Sequence, residues 1–334
     1  MAEVFGHEAV RGRFADMLDK GRLHHAWLLH GPAGIGKRML AQSLAADYLC
    51  EENRGTGKGV RTACGECHSC RMLAAGSHPD FLLLEREWDE KKLRRKRDVS
   101  IAQVRDLLGF LSLSGAESAR RVALVGEAGR LNAQAANAML KGLEEPSPGS
   151  LLLLVCEDVL TLPATVRSRC MLESLRPLPD ADMHTILQGM DIPPEAMEFA
   201  LRIANGQPGK VAALADVEIA AALLAWNDLL ADPAALDIGR VYQWITRHVQ
   251  RVPHELIVDV ALHAALAGPQ GVPNMQGGDV PRLDAVLDVA GQLAEWPQDV
   301  VRRTLRPAPT LLALMLALRL ALRDLPGRRV GQAA

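Results

Sequence analysis

Three groups of residues in this 334-residue chain have types and spacings that could do chemistry. The first is Gly31-Pro-Ala-Gly34-Ile-Gly36-Lys37, which fits the phosphate loop G-x-x-x-x-G-K. In such a loop, backbone N–H groups wrap a phosphate, a following helix N-terminus adds positive potential, and the lysine meets the β and γ oxygens. The next residue departs from the pattern. Arg38 stands where a Ser or Thr hydroxyl would hold Mg²⁺. A second loss follows the apolar run Arg121–Val125, where Gly126 occupies the position of a magnesium-organising Asp and leaves only Glu127 to polarise water. Two losses at one metal site favour a fold that keeps its shape and drops hydrolysis.

The second group is cysteine. Cys64, Cys67 and Cys70 recur at x2 spacing, with Cys50 upstream at the end of the helix that follows the phosphate loop. Four thiolates close a tetrahedral Zn²⁺ shell with no open position, which means structure and not catalysis. A zinc-activated hydrolase needs a vacant position and is excluded on this reading. His68, between two of the cysteines, is the one other candidate ligand. The third group is Ser168-Arg169-Cys170, just after a short helix over Pro163–Arg167. An arginine at that edge can either reach another subunit's phosphates or pair with a local carboxylate.

Two further features are weaker. Lys91–Arg97 has cations at six of seven positions, but Glu85, Glu87, Asp89 and Glu90 precede it, so it reads as a solvated hairpin or loop. Contact between this run and DNA stays open. His24 and His25 have no acid or nucleophile near them in sequence and read as packing or surface residues.

The elements that must position these groups alternate through the first half of the chain. Ala26–His30, Phe81–Glu85, Arg121–Val125 and Leu151–Cys156 are continuous apolar runs expected as buried strands. Lys37–Leu49, Ile101–Leu113 and Asn132–Leu143 carry apolar residues at helical spacing. Such alternation predicts an α/β domain with a parallel sheet covered on both faces. After Arg176 the pattern changes: Pro177 and Pro179 mark a linker, a small helical stretch runs to Leu214, and Ala- and Leu-rich helices follow. The expected partition is an α/β domain over 1–175 with a cysteine module inserted at about 50–70, a small helical domain over 176–214 and an all-α domain over 215–334. The segment Gly268–Gly278 reads as a Gly/Pro loop and Arg328–Ala334 as a frayed tail.

Composition limits what these elements can do. Hydrophobic residues make up 49% and charged residues 23%, enough for sizeable cores, and aromatics are only 4%, so Leu, Ala and Val must build them. Lys and Arg total 38 against 40 Asp and Glu, a net charge of −2 that excludes a bulk electrostatic grip on nucleic acid. Any DNA contact must be local or shared. The greasiest run, Leu311–Leu322, is shorter than the about 20 apolar residues a spanning helix needs, so it reads as a buried helix. No signal-peptide pattern opens the chain, and a cytoplasmic protein with metal-bound or free thiols is expected.

Taken together, these residues resemble the AAA+ clamp-loader family of bacterial DNA polymerase III. The resemblance covers the first 215 residues: Gly21-Arg-Leu-His-His-Ala26, the four-cysteine module, His78-Pro-Asp80, the stretch Ala135 to Pro146 ending in Leu-Glu-Glu-Pro, and Ser168-Arg169-Cys170. It implies a RecA-like AAA+ domain, a helical lid and a helical collar. It further implies a pentameric loader that opens a sliding clamp and places it on primed DNA. Within the family the chain looks most like the delta-prime branch, which shares the fold of the ATP-hydrolysing gamma and tau subunits but lacks a working site. Arg38 and Gly126 fit that branch, as do Cys156-Glu157 in place of a polar sensor and Gly209 in place of a sensor arginine, with Lys210 beside it. The implied partners are gamma/tau and delta subunits, the clamp and primed DNA. The implied cofactor is a structural zinc held by Cys50, Cys64, Cys67 and Cys70, with Gly31, Gly34, Gly36 and Lys37 forming a degenerate, vestigial loop from which ATP binding is not expected. The implied role of Arg169 is an arginine finger offered in trans. An active gamma/tau-like ATPase is the alternative. On the first reading the chain has no ATPase of its own but belongs to a DNA-directed DNA polymerase holoenzyme.

Overall fold

The computed structural model describes residues 4–53, 62–90, 94–113, 119–232, 235–266 and 280–323. The chain forms two compact units, Met1–Asp182 and Met183–Ala334. The expected Gly/Pro loop and tail fall outside the described residues.

The first unit is a five-stranded parallel sheet in the order β2-β5-β6-β1-β7. Its strands are β1 (Ala26–His30), β2 (Phe81–Leu84), β5 (Arg121–Val125), β6 (Ser150–Cys156) and β7 (Met171–Ser174). A separate antiparallel hairpin joins β3 (Trp88–Asp89) to β4 (Arg94–Arg95). The continuous apolar runs of β1, β5 and β6 are buried on both faces because side chains alternate across a strand, whereas in the edge strand β2 only Leu84 is buried. Ala26 and Leu28 face one core with Ala123, Leu152 and Leu154, and there α4 (Ile101–Ser112) and α5 (Ala133–Glu144) supply Val104, Leu107 and Met139. Trp27 and Leu29 face the other core, built by α1 (Glu8–Asp19) and α2 (Lys37–Leu49) through Phe14, Leu40 and Leu44. Trp27 meets Phe14 edge-on at 5.2 Å.

Two elements extend the sequence reading. Helix α1 precedes β1, and β7 forms a fifth strand beside it. Strand β7 reads Met-Leu-Glu-Ser, and the side chain it buries is Glu173, which accepts a bidentate pair of hydrogen bonds from Arg13 of α1. Four further helices and turns complete the first unit's C-terminal edge and the cysteine segment: α3 (His68–Ala74), α6 (Ala164–Arg167), the start of α7 (Asp180–Gln188), and a 3-10 turn at Glu51–Asn53.

The second unit is helical: α8 (Pro194–Ala204), α9 (Val217–Leu229), α10 (Ile238–His248), α11 (His254–Leu266), α12 (Val280–Arg302) and α13 (Pro307–Arg323). Trp226 and Trp244 stack at 4.4 Å, and their indole N–H groups donate to the carbonyls of Ile257 and Ala222. In α13 the stripe Leu311, Met315, Leu318 and Leu322 is buried, whereas Leu320 is exposed. The run expected as a buried helix therefore presents one face inward. Arg202 of α8 donates to Asn227 of α9, and Lys210, in the 3-10 turn that follows α8, pairs with Asp259 of α11 at 2.8 Å. Among the described residues, no helix is long and apolar enough to cross a membrane.

Candidate functional site

In a parallel sheet the carboxyl ends of all strands open on one edge, so the segments after β1, β5, β6 and β7 come together. Gly31 starts the loop after β1 at φ +148°, and Gly34 and Gly36 also have positive φ. Gly31 is sterically obligatory: a Cβ there would lie 2.3 Å from the carbonyl oxygen of Leu175. Its N–H donates to the carbonyl of Glu157, and the ring of His7 bonds the Ile35 carbonyl. Gly31→Ala should cost at least about 2 kcal/mol, since the clash is with backbone and no rotamer relieves it. A thermal melt of the full chain checks this, with the first unit's midpoint expected several degrees lower.

The loop closes on its own lysine. Lys37 is buried, and its Nζ donates to the carbonyls of Gly31 at 2.8 Å and Pro32 at 2.6 Å. Burial lowers its pKa, opposed by the nearby Glu157 carboxylate. Arg38, one residue on, pairs with Glu85, whose other oxygen accepts from Arg95 of β4 at 3.1 Å. Glu127 is held bidentately by Arg86, Nε and Nη2 each at 2.7 Å from a carboxylate oxygen. Those hydrogen bonds hold its carboxyl below the usual carboxylate range. At Gly126 a Cβ would meet nothing nearer than 3.8 Å, so the backbone there leaves room for a Cβ. The thiol of Cys156, at the end of β6, is buried and pushed up to about 11.

The four cysteines predicted to act together do converge. The Sγ atoms of Cys50, Cys64, Cys67 and Cys70 all lie within 4.8 Å of one another, with Cys50–Cys67 and Cys64–Cys70 at 4.0 Å. A tetrahedral shell with 2.3 Å Zn–S bonds sets sulfurs about 3.8 Å apart, so the group fits a zinc-sized ion. Helix α2 delivers Cys50, and Cys67 caps α3 by accepting from the N–H of Cys70. The N–H groups of Cys64 and Cys67 point at the sulfurs of Cys50 and Cys64. Burial raises the Cys50 and Cys70 thiols, while backbone N–H donors bring exposed Cys64 down to about 7. His68 is exposed and outside the group. On α2, buried Asp47 accepts from the N–H of Ala63 at 2.7 Å and its side-chain pKa is pushed up to about 6 by burial.

Arg169 sits just beyond α6. It pairs with Glu144 at 2.9 Å and donates to the carbonyl of Thr165. Arg169 and Glu144 are both partly exposed. His24 and His25 stack on each other at 4.5 Å, and His25 bonds the Leu143 carbonyl, so neither joins a catalytic set. Of the basic run, Arg95 and Lys96 pair with Glu85 and Glu87 in a hairpin, as its charge pattern suggested. The sequence reading passed over Arg86 and Glu144, and took Glu85 only as a counter-charge to the basic run and not as the partner of Arg38. The one usable signal was that β2 and β5 are neighbours, which brings Arg86 and Glu127, both just beyond strand ends, side by side.

Residues 6–179, more than half of the chain, match the family described as DNA polymerase III, delta subunit. The chain belongs to this family. Among curated relatives, the DNA polymerase III subunit delta' of Pseudomonas aeruginosa is 43% identical over 187 residues, covering 55% of this chain and 53% of that one. The delta' subunit of Escherichia coli is 33% identical over 195 residues, 58% of this chain and 55% of the relative. The tau subunit of Escherichia coli is 33% identical over 226 residues, 66% of this chain and 33% of the relative. The chain thus spans about half the length of the delta' relatives it matches. A DNA polymerase III gamma-subunit-related protein of Thermotoga maritima, 15% identical, superposes with a TM-score of 0.52 over 93% of this chain and 99% of that one. That likeness speaks for the fold, an AAA+ P-loop unit followed by helices.

Proposed function

We propose that the chain is a non-hydrolysing, delta-prime-like subunit of the DNA polymerase III clamp loader, helping to open the sliding clamp and place it on primed DNA. The observation that carries this reading is the internally satisfied nucleotide site. Lys37 is spent on its own loop carbonyls and Glu127 on Arg86, while Arg38 and Gly126 offer no side-chain oxygen for Mg²⁺. An arginine finger in trans needs a charged group that can change partners. Arg169, half-exposed and paired with an exposed glutamate, has that character, and surface pairs of this kind cost little to exchange. Residues 176–214 act as the lid and 215–334 as the collar that joins the gamma/tau and delta subunits. Lys210, next to the position of a sensor arginine, is spent on Asp259. Cys50, Cys64, Cys67 and Cys70 hold a zinc that cross-links the module to α2. With four thiolate ligands the metal has no catalytic position.

The longer tau match keeps a gamma/tau-like ATPase as the reading to be separated. Phosphate release from Mg-ATP by the purified full chain distinguishes the two, with no turnover expected. Arg38→Thr should also show none, because Gly126 and the Glu127–Arg86 pair remain. Steady turnover by the wild-type chain would overturn the proposal, as would failure to co-elute with gamma and delta subunits.

A further inference from the structure

Four of the five tryptophans are 6% exposed or less: Trp27, Trp226, Trp244 and Trp296. Trp88 is 58% exposed. It lies on the short β3–β4 hairpin, paired across the ladder with Arg95, so the indole and that guanidinium share one face. The hairpin's base is pinned. Arg95 donates to Glu85 and to the Arg86 carbonyl, Arg86 donates to the Lys96 carbonyl at 3.3 Å, and the Lys96 N–H donates to the Glu87 carbonyl at 2.7 Å. Glu85 in turn is held by Arg38, so the residue that replaces a magnesium ligand braces the hairpin instead. Arg97, just beyond β4, is exposed and forms no ion pair among the described residues. Between residues 85 and 98 the sequence has seven cations and five anions, the difference supplied by Lys91 and Lys92, which lie outside the described residues.

We propose that this hairpin contacts an unpaired nucleic-acid strand, with Trp88 stacking on a base and Arg97 meeting the adjoining phosphate. An indole beside guanidinium groups is the combination that holds single strands with little sequence preference, because every base has a π-face. Duplex DNA hides those faces. Pinning the base of the hairpin lowers the backbone-ordering cost of binding. The contact is local, as the overall charge requires, and it belongs to this chain whether or not it sits in a loader.

The test uses the full purified chain and fluorescein-labelled oligo-dT followed by anisotropy at low salt. Trp88→Ala should weaken binding about tenfold, with Trp88→Phe keeping most of it. Arg97→Glu should weaken binding and flatten the salt dependence by about one unit of slope. A blunt duplex of equal length should bind less well than oligo-dT. Thermal midpoint and zinc content should not move in any variant, since both side chains are exposed. The proposal is overturned if the wild-type chain does not bind oligo-dT or if Trp88→Ala binds it unchanged. Equal affinity for the duplex also overturns it. So does an effect of Trp88→Ala confined to co-elution with other protein chains, which would make the hairpin a protein contact.

Discussion

Cys67→Ser should strip the purified protein of its zinc and unfold the segment around residues 50–70, leaving the rest of the first unit folded. Cys67 is both a member of the four-sulfur cluster and the cap of α3. Serine keeps a capping oxygen but supplies no thiolate, so the loss is of the metal bond first. Structural zinc is worth about 10–16 kcal/mol of folding free energy in small zinc modules, which makes this the largest local effect of any single substitution here. Elemental analysis and limited proteolysis read it directly. Because α2 links the cluster to the core packed on β6, the thermal midpoint should fall as well. Wild-type protein with well under one zinc per chain would contradict the assignment, and so would a Cys67→Ser variant that keeps its metal.

Arg169→Ala should leave fold, zinc and assembly unchanged while lowering DNA-stimulated ATPase and clamp loading by the reconstituted complex. An arginine supplied in trans to a transferring phosphoryl group is worth about 10³-fold or more at the pocket it serves. With several pockets in the loader, the whole-complex loss should be smaller but clear. The pair with Glu144 makes a second variant informative. Glu144→Gln removes the local partner and keeps Arg169, so a finger role predicts activity retained where Arg169→Ala loses it. If the two variants behave alike, or if Arg169→Ala loads clamps at the wild-type rate, the arginine is a local ion-pair partner only.

Strands β1, β5 and β6 could be read from sequence because each is a continuous apolar run covered on both faces, and β2, also an apolar run, takes the sheet edge opposite β7 with its first three residues only partly buried. Strand β7 has no such run. It is four residues long, sits at the sheet's edge and buries a glutamate against Arg13, a contact set by tertiary packing and not by local pattern. The cysteine cluster could be read because three of its ligands are local in sequence and the fourth lies one loop away. The partners of Arg38 and Glu127 could not. Arg86 and Glu127 are 41 positions apart, Arg38 and Glu85 are 47, and only the neighbouring of strand ends brings them together. The buried pair Asp80–Arg121 shows the same limit: His78-Pro-Asp80 was visible as a motif, but its charge partner opens the adjacent strand.

The strand order has a consequence for how the chain is made. β1 lies between β6 and β7, yet it is synthesised first, and β6 begins only at Ser150. At about 5–20 residues per second, β1 waits on the order of ten seconds on the ribosome before its first neighbour exists. The cysteines at 50, 64, 67 and 70 emerge within that wait and need no strand partner to gather around a metal. Strands β2, β5 and β6 then follow in order, each beside the one before it. Translation therefore orders assembly as metal module, then sheet edge. The apolar β1, with Trp27, Leu28 and Leu29 fully buried in the finished fold, is the segment most in need of shelter during synthesis.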